Sequence, residues 1–88
     1  MEKQWVLYML ECKDGSLYTG ITDNLSRRIQ MHESGKGAKY TRGRAPLKLV
    51  YSEICESHSQ ALKREYAVKS LSRDEKLQLC DVYIRKAL

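Results

Sequence analysis

An apolar run that stops at an Asp-Gly pair determines how this chain begins to fold. Residues 5–12 read WVLYMLEC, and Asp14 and Gly15 follow almost at once. A run this short and this rich in aromatic residues favours a strand buried on both faces over a helix. Asp-Gly tolerates the positive φ that hairpin turns require, so residues 17–22 are predicted to form an antiparallel second strand. The chain must therefore build a sheet and cover both of its faces.

One more helix and one more strand are predicted in the middle of the chain. Asp23 can cap a helix that ends near residue 33, and Gly35 can terminate it. A glycine-containing loop closed by Pro46 then leads to residues 47–54, whose partial alternation of apolar and polar side chains predicts a third strand.

Two capping-box patterns predict the remaining helices. Ser57-x-x-Gln60 opens a helix that ends near residue 71, and Ser72-x-x-Glu75 opens another that ends near residue 87. The predicted order is β-β-α-β-α-α, an α+β fold with a small three-stranded antiparallel sheet flanked by helices. With 88 residues, the chain is predicted to be one domain, 1–88, without room for a separate cofactor domain or a large enclosed cavity.

The net charge of +5 lies in one segment. Residues 34–52 hold five basic residues and no acidic one, whereas the other 69 residues hold 11 of each sign. The basic residues of this segment are Lys36, Lys39, Arg42, Arg44 and Lys48. A polyanion partner, nucleic acid before a membrane surface, would explain the cluster. A solvated loop with no partner fits the charge alone equally well.

Several classes of protein are excluded by what the chain lacks. No apolar run approaches the roughly 20 residues of a membrane span, and the first four residues do not resemble a signal peptide. We therefore expect a cytoplasmic protein. The three cysteines have no C-x-x-C spacing and the two histidines stand apart, which argues against a zinc site or a disulfide framework. P-loop, GXXG and G-x-S-x-G patterns are absent.

Polar side chains fall on helix faces that should be apolar. At about 100° per residue, Glu65 lies inside the apolar arc of the second predicted helix, and Arg28 and His32 border that of the first. A carboxylate directed at a core costs several kcal/mol unless it is paired or bound to a metal. Glu65 is therefore either an ion-pair partner of Lys69 or a metal-binding or catalytic residue. His32 is either a satisfied core histidine or part of a site with Arg28.

The hairpin turn decides whether Tyr8 and Tyr18 can act together. A two-residue turn pairs Glu11 with Tyr18 and places the two tyrosines on opposite faces of the sheet. A three-residue loop with a G1 bulge pairs Cys12 with Tyr18 and places both on one face. Only the second geometry builds a shared site; otherwise both rings simply pack.

Taken in order, these motifs resemble the GIY-YIG nuclease superfamily. YML at 8–10 stands ten residues before YTG at 18–20, NLSRR follows at 24–28, and His32 stands four residues beyond Arg28. Ala61-x-x-x-Glu65-x-x-x-Lys69 is similar to the metal-binding glutamate motif. GKGAKYT at 35–41, with the Pro46 and Glu53 that follow, resembles the small stand-alone bacterial branch. The resemblance extends over residues 4–80 and includes the N-terminal nuclease domain of UvrC.

The resemblance implies phosphodiester hydrolysis that depends on a single Mg²⁺ or Mn²⁺ ion. DNA is the expected substrate ahead of RNA, with low sequence specificity and a role in DNA repair or processing. Glu65 would bind the metal ion, and Arg28 would hold the scissile phosphate. A metal ion can stabilise charge on oxygen in a reaction that is very slow uncatalysed, and a guanidinium matches a phosphate with two hydrogen bonds.

The resemblance also implies roles for the remaining site residues. Tyr18 would be the general base or position the attacking water, and Tyr8 would orient that water or the phosphate. His32 would form a hydrogen bond within the site and could accept a proton. Gly20 would let the substrate backbone approach closely. The basic residues of segment 34–52 would contact the nucleic-acid backbone.

Two departures from the family pattern support alternatives. Ile21 stands where UvrC-type members carry a lysine, and the family's C-terminal asparagine has no clear counterpart among Asp74, Glu75 and Asp81. The main alternative is a nucleic-acid-binding module that has the fold without efficient catalysis; a protein–protein adaptor is a third. The departures predict activity that is weak, structure-selective or dependent on a protein partner that supplies specificity.

Overall fold

The structure is a computed structural model that describes residues 4–87. Its strands are β1 (Trp5–Glu11), β2 (Leu17–Thr22) and β3 (Lys48–Cys55), and its helices are α1 (Leu25–Glu33), α2 (His58–Lys69) and α3 (Arg73–Ala87). One 3₁₀ turn, Lys39–Thr41, lies between α1 and β3. The predicted order β-β-α-β-α-α and the α+β class are confirmed. The ends of the predicted domain, residues 1 and 88, lie outside the described residues.

The hairpin between β1 and β2 places both tyrosines on one face. Gly15 has φ +83°, its N–H donates to the Cys12 carbonyl at 2.9 Å, and the Cys12 N–H donates to the Ser16 carbonyl at 2.8 Å. This is the three-residue loop with a bulge. The predicted pairing of Cys12 with Tyr18 is wrong, because the loop closes on Ser16 and the register therefore sets Leu10 opposite Tyr18.

The sheet has the order β2-β1-β3 and is antiparallel throughout. Residues 7–10 of the central strand are all buried, so the prediction of a strand covered on both faces is confirmed. Leu7 and Met9 pack with residues of α2 and α3. Tyr8 and Leu10 point to the opposite face, where partly buried residues of α1 pack against them. This second face carries the candidate site.

Side-chain caps set where the helices begin. The side chain of Asn24, not of Asp23, accepts a hydrogen bond from the Arg27 N–H at 3.2 Å, so the prediction that Asp23 caps α1 is wrong. Asn24 is in the right place because an N-cap oxygen bonds to the N–H two or three residues further along the chain. The Ser57 hydroxyl accepts from Gln60 N–H at the start of α2.

The capping box of α3 is complete. The Ser72 hydroxyl accepts from Glu75 N–H at 3.2 Å, and the Glu75 carboxylate accepts from Ser72 N–H at 3.0 Å. The boundaries differ from the predictions by one or two residues: α2 ends at Lys69 and β3 covers 48–55. Among residues 4–87, no helix is long and apolar enough to cross a membrane.

The cationic segment between α1 and β3 is attached to the rest of the fold at several points. The Lys13 N–H donates to the Arg44 carbonyl at 2.8 Å, and the Arg44 guanidinium pairs with Asp14 in the hairpin turn. At the end of the segment, the Glu33 carboxylate accepts from Leu47 N–H at 3.2 Å. These contacts hold the segment against the hairpin and against the end of α1.

Candidate active site

A chain of buried hydrogen bonds connects β1, α1 and the 3₁₀ turn. The Tyr8 hydroxyl lies 2.8 Å from His32 Nε2, and His32 Nδ1 lies 2.8 Å from the Thr41 hydroxyl. The Thr41 hydroxyl donates to the Ala38 carbonyl at 2.9 Å. Tyr8, His32 and Thr41 are each at most 1% exposed. The polar groups on this face are therefore satisfied by one another rather than by water.

Two further aromatic rings, those of Tyr18 and Tyr40, lie beside this chain of hydrogen bonds. The Tyr18 ring lies 6.2 Å from the Tyr8 ring and 5.2 Å from the His32 ring, measured between centroids. Its other neighbour is Tyr40, stacked at 6.0 Å with an interplanar angle of 28°. Tyr18 is only partly buried, whereas Tyr8 is fully buried. Of the two motif tyrosines, Tyr18 is the one whose ring reaches the surface.

Arg28 supplies the positive charge of the buried cluster. Burial raises the pKa of Tyr8 to about 12, although the charge and hydrogen bonding of Arg28 act in the opposite direction. Burial and the charge of Arg28 both lower the pKa of His32. Tyr8 is therefore a neutral phenol and His32 a neutral imidazole near pH 7. Arg28 also borders an open concavity of about 330 Å³, shared with Arg27.

Gly20 is packed between the two tyrosines. A Cβ atom at this position would lie 2.7 Å from the Tyr8 hydroxyl oxygen and 3.0 Å from Tyr18 Cε2. Contacts below 3.0 Å essentially never occur for real Cβ atoms. Ring packing alone thus accounts for a glycine here, while the substrate contact expected from the sequence stays a prediction.

Glu65 forms the ion pair that the helical spacing predicts. Its carboxylate lies 3.4 Å from Lys69 Nζ, and its side chain is 21% exposed. Lys69 in turn lines a concavity of about 350 Å³ together with Tyr18, Thr19, Tyr40 and Lys76. The structure therefore confirms the ion-pair alternative for Glu65, and its metal-binding or catalytic role stays a prediction.

The side chains near the site suit a divalent cation that keeps most of its water ligands better than a cation held entirely by protein ligands. Within residues 4–87 there is no group of three or more His, Cys, Asp or Glu side chains that could hold a metal ion. Glu65 pairs with Lys69, which lines the concavity, and Mg²⁺ commonly keeps several waters while binding one or two carboxylates. The Thr19 hydroxyl is buried without a hydrogen-bond partner in the described part of the chain. Its strand, β2, packs against α2.

The predicted nucleic-acid-binding residues are distributed unevenly around the site. Lys36, Lys39, Arg42 and Lys48 are exposed. Arg44 is only partly exposed, because it pairs with Asp14 and its guanidinium lies 4.5 Å above the centre of the Tyr40 ring. The structure therefore brings Arg44 into the aromatic cluster and leaves the other four on the surface.

The sequence patterns did not identify four residues of the site. These are Tyr40, Thr41, Lys69 and Lys76 as neighbours of the tyrosines and of His32. In the sequence, Lys69 is predicted only as the ion-pair partner of Glu65 and as the last residue of the glutamate motif. Tyr40 and Thr41 lie in the segment GKGAKYT. Their uncharged, hydrogen-bonding side chains beside lysines were the one feature of the sequence that could have identified them as site residues.

The structure shows the surroundings of the residues at which the chain departs from the family pattern. Ile21 packs against the core cluster on the face of α2 and α3, and Lys69 lines the same concavity as Tyr18. Of the three polar residues considered in place of the asparagine, Glu75 belongs to the cap of α3. Asp81 pairs with Arg85 on the same helix, at 3.2 Å.

Two tyrosines from a hairpin, with arginine and histidine from the next helix, define a known class of protein. The model of the GIY-YIG catalytic domain matches residues 4–78. The chain therefore belongs to the GIY-YIG family, which confirms the resemblance seen in the sequence. This is a family of nucleases, so nucleic acid is the class of substrate that it implies.

Small bacterial proteins are the relatives of this chain. It is 52% identical over 81 residues to UPF0213 protein OB0043 of Oceanobacillus iheyensis, covering 92% of this chain and 94% of the relative. UPF0213 protein CPE1444 of Clostridium perfringens is 59% identical over 73 residues, covering 83% of this chain and 78% of the relative.

Two solution NMR structures have the same fold. The UPF0213 protein BH0048 from Bacillus halodurans is 53% identical with a TM-score of 0.59, covering 90% of this chain and 84% of that chain. The protein EF2693 from E. faecalis is 42% identical with a TM-score of 0.65, covering 93% and 88%. Both confirm the three-stranded α+β architecture.

Proposed function

We propose that this protein is a metal-dependent endonuclease that hydrolyses phosphodiester bonds in DNA at the Tyr18 concavity. The observation that carries the proposal is the convergence of Tyr8, Arg28 and His32 on one sheet face, with Tyr18 at its surface. Burial of an arginine beside a neutral histidine costs desolvation free energy, which a purely structural core avoids by using apolar side chains. A site for a phosphate requires that cation.

The different burial of the two tyrosines separates their roles. Tyr18 reaches the 350 Å³ concavity, so it is the tyrosine that can contact an attacking water and act as general base or orient that water. Tyr8 has no exposed surface, so it acts through its neighbours. Its hydroxyl forms a hydrogen bond with His32 and interacts with Arg28, and its ring packs against Tyr18.

Arg28 is the residue best suited to the scissile phosphate. It lies close enough to Tyr8 to act on the pKa of that hydroxyl, and it also borders the open concavity at the start of α1. A guanidinium that contacts Tyr8 and also borders open solvent can bind two phosphate oxygens at once. It would also stabilise the charge that develops on those oxygens during attack.

Glu65 is the residue that would hold a divalent ion. When bound there, Mg²⁺ or Mn²⁺ would supply positive charge for the phosphate oxygens and for the leaving group. Glu65 already accepts a cation, since its carboxylate lies 3.4 Å from Lys69 Nζ. Lys69 borders the same concavity as Tyr18, which supports a position for the ion beside the reacting groups.

Exposed cations on several elements would bind the substrate backbone. Lys36, Lys39 and Arg42 are exposed on the loop after α1, and Lys69 and Lys76 border the concavity beside Tyr18. Such contacts act on phosphates and carry no sequence information. We propose low sequence specificity, DNA ahead of RNA as substrate, and a role in DNA processing in which a partner supplies the target.

Cleavage assays with two matched glutamate variants test the proposal. Labelled duplex, nicked, flapped and single-stranded DNA, and RNA of the same sequence, are incubated with Mg²⁺, with Mn²⁺ or with EDTA. Glu65→Gln should lose at least about 100-fold in rate. Glu53→Gln should stay within about threefold. Glu53 is a fair control because its side chain is 26% exposed and also ion-paired, with Arg64 at 2.8 Å.

A second candidate function is a nucleic-acid-binding module without efficient catalysis. It is favoured by the ion pair between Glu65 and Lys69, which gives the carboxylate a structural role without any metal. Salt-sensitive binding by a wild-type protein that cleaves none of the substrates would support this candidate and overturn the endonuclease. Cleavage by Glu65→Gln at the wild-type rate would overturn the assignment of Glu65.

A further inference from the structure

The segment that carries the loop cations also encloses the His32 ring. Thr41, in the 3₁₀ turn, places its hydroxyl 2.8 Å from His32 Nδ1. Gly37 packs on the same side of the ring, since a Cβ at that position would lie 2.3 Å from Nδ1. With His32 and Thr41 each 1% exposed, water does not compete for Nδ1. The Thr41 hydroxyl is thus the group that determines whether His32 Nδ1 is protonated.

The contact between the Thr41 hydroxyl and the Ala38 carbonyl, when taken as a donated hydrogen bond, assigns a direction to each bond of the chain. A threonine hydroxyl has a single proton, and Thr41 directs it to the Ala38 carbonyl at 2.9 Å. Toward His32 the hydroxyl can then only accept, so Nδ1 must carry a proton. His32 is neutral near pH 7, because burial and Arg28 lower its pKa. Its Nε2 is therefore unprotonated, and the Tyr8 hydroxyl at 2.8 Å must be the donor.

We propose that Thr41 is a positioning residue that holds His32 in the Nδ1–H tautomer and thereby makes Nε2 the acceptor of the Tyr8 hydroxyl proton. The partner of one ring nitrogen determines the protonation of the other. The effect extends across the whole chain of bonds: the Ala38 carbonyl orients Thr41, Thr41 orients the imidazole, and the imidazole orients the Tyr8 hydroxyl. No previously assigned residue of the site performs this role.

The consequence for catalysis rests on the proposed function. With Nε2 as acceptor, the lone pairs of the Tyr8 oxygen face Arg28 and the Tyr18 side of the site. The proton stays on the Tyr8 oxygen, because the pKa of Tyr8 is raised to about 12 and the pKa of His32 is lowered. The imidazole therefore orients the Tyr8 hydroxyl, and Tyr8 in turn holds the position of its neighbours Arg28 and Tyr18.

Nitrogen NMR of the two histidines tests the tautomer without any substrate. In ¹⁵N-labelled protein at pH 8, long-range ¹H–¹⁵N spectra distinguish protonated from unprotonated ring nitrogens. His32 should show a protonated Nδ1 and an unprotonated Nε2. The exposed His58, which stacks on Trp5 at 4.3 Å, provides an internal reference from the same sample. Protonation of His32 at Nε2 in the wild type would overturn the proposal.

Variants then identify which neighbour sets the tautomer. Thr41→Val removes the hydroxyl at similar volume, so His32 should lose its preference for Nδ1–H; Thr41→Ser should retain it. Tyr8→Phe should also retain it, because Thr41 is the determinant. A wild-type tautomer in Thr41→Val, or a loss of the tautomer in Tyr8→Phe, would contradict the proposal. If Thr41→Val does not fold, the wild-type, Thr41→Ser and Tyr8→Phe spectra still decide the question.

The catalytic effect is measured separately. Thr41→Val should lower kcat about tenfold or more with little change in KM, as expected when a residue behind the reacting groups is removed. Thr41→Ser should restore the rate to within about threefold of wild type. If the protein cleaves nothing, the proposed function fails while the NMR result stands. If it cleaves and Thr41→Val has the wild-type kcat, the positioning role is refuted.

Discussion

Replacing Gly20 by alanine should disrupt the site by overpacking. The new Cβ would lie 2.7 Å from the Tyr8 hydroxyl oxygen, about 0.7 Å inside the ordinary contact distance of 3.4 Å. Tyr8 is fully buried, and the same oxygen is 2.8 Å from His32 Nε2. A movement of this size cannot leave that bond intact. Overpacking of a core costs about 1–3 kcal/mol, which lowers the Tm of a domain of this size by about 5–20 °C.

A double-mutant cycle with Tyr8→Phe isolates the contact. Alone, Tyr8→Phe leaves His32 Nε2 buried without a partner, at a cost of about 1–3 kcal/mol. In the Gly20→Ala background the same change also removes the closest clashing atom, so it should cost less. We expect a coupling energy of about 0.5–3 kcal/mol, the range seen for residues in contact.

Chemical denaturation of the wild type, of Gly20→Ala, of Tyr8→Phe and of the double variant measures the coupling energy. Gly15→Ala is the control, since Gly15 has φ +83° and nothing within 4 Å of an added Cβ. It should destabilise through backbone strain and be additive with Tyr8→Phe. Additivity within about 0.5 kcal/mol in the Gly20 cycle would refute the packing argument. In Gly20→Ala, the displaced tyrosines should lower kcat for DNA cleavage about 100-fold, because small misplacements of reacting groups are costly.

Two further predictions concern pH and salt. His32 has a lowered pKa, so below its ordinary value near 6.5 the unfolded chain binds more protons and the free energy of unfolding falls as the pH is lowered; His32→Gln should flatten this limb. The pKa of Tyr8 is raised to about 12, so stability should fall as pH rises above 10, and Tyr8→Phe should remove that loss. Urea titrations across the pH range check both. For duplex binding in EDTA, Lys69→Ala and Lys76→Ala should each lower the slope of log K against log salt by about 0.9 if each contacts one phosphate. The exposed Lys63→Ala should leave it unchanged, and equal slopes in all three would contradict the concavity as a phosphate site.

Local patterns in the sequence predicted the fold well. Hairpin, capping boxes and helix faces depend on residues a few positions apart, so the element order and the ion pair of Glu65 with Lys69 could be predicted directly. The errors were also local. Asp23 and Asn24 are both good caps, and only backbone geometry selects Asn24. The pairing of Tyr18 was displaced by two residues, although the shared face of the two tyrosines is confirmed.

The neighbours of the site residues could not be predicted, because distant segments bring them together. Thr41 meets His32 only after the loop folds back on α1, and Lys76 reaches the Tyr18 concavity from the last helix. Nothing in the spacing of these residues encodes such contacts. The predicted contacts of segment 34–52 came from its charged residues, whereas two of its uncharged residues, Tyr40 and Thr41, contact Tyr18 and His32 respectively.

The most direct test of the central claim is the single-turnover rate of DNA cleavage by the wild type and by Tyr18→Phe, purified in parallel and assayed with Mn²⁺. Loss of the hydroxyl leaves the ring and its stacking on Tyr40 in place. The account predicts cleavage by the wild type and a rate at least about 100-fold lower for the variant. Equal rates, or no cleavage by the wild type of any DNA or RNA substrate, would contradict it.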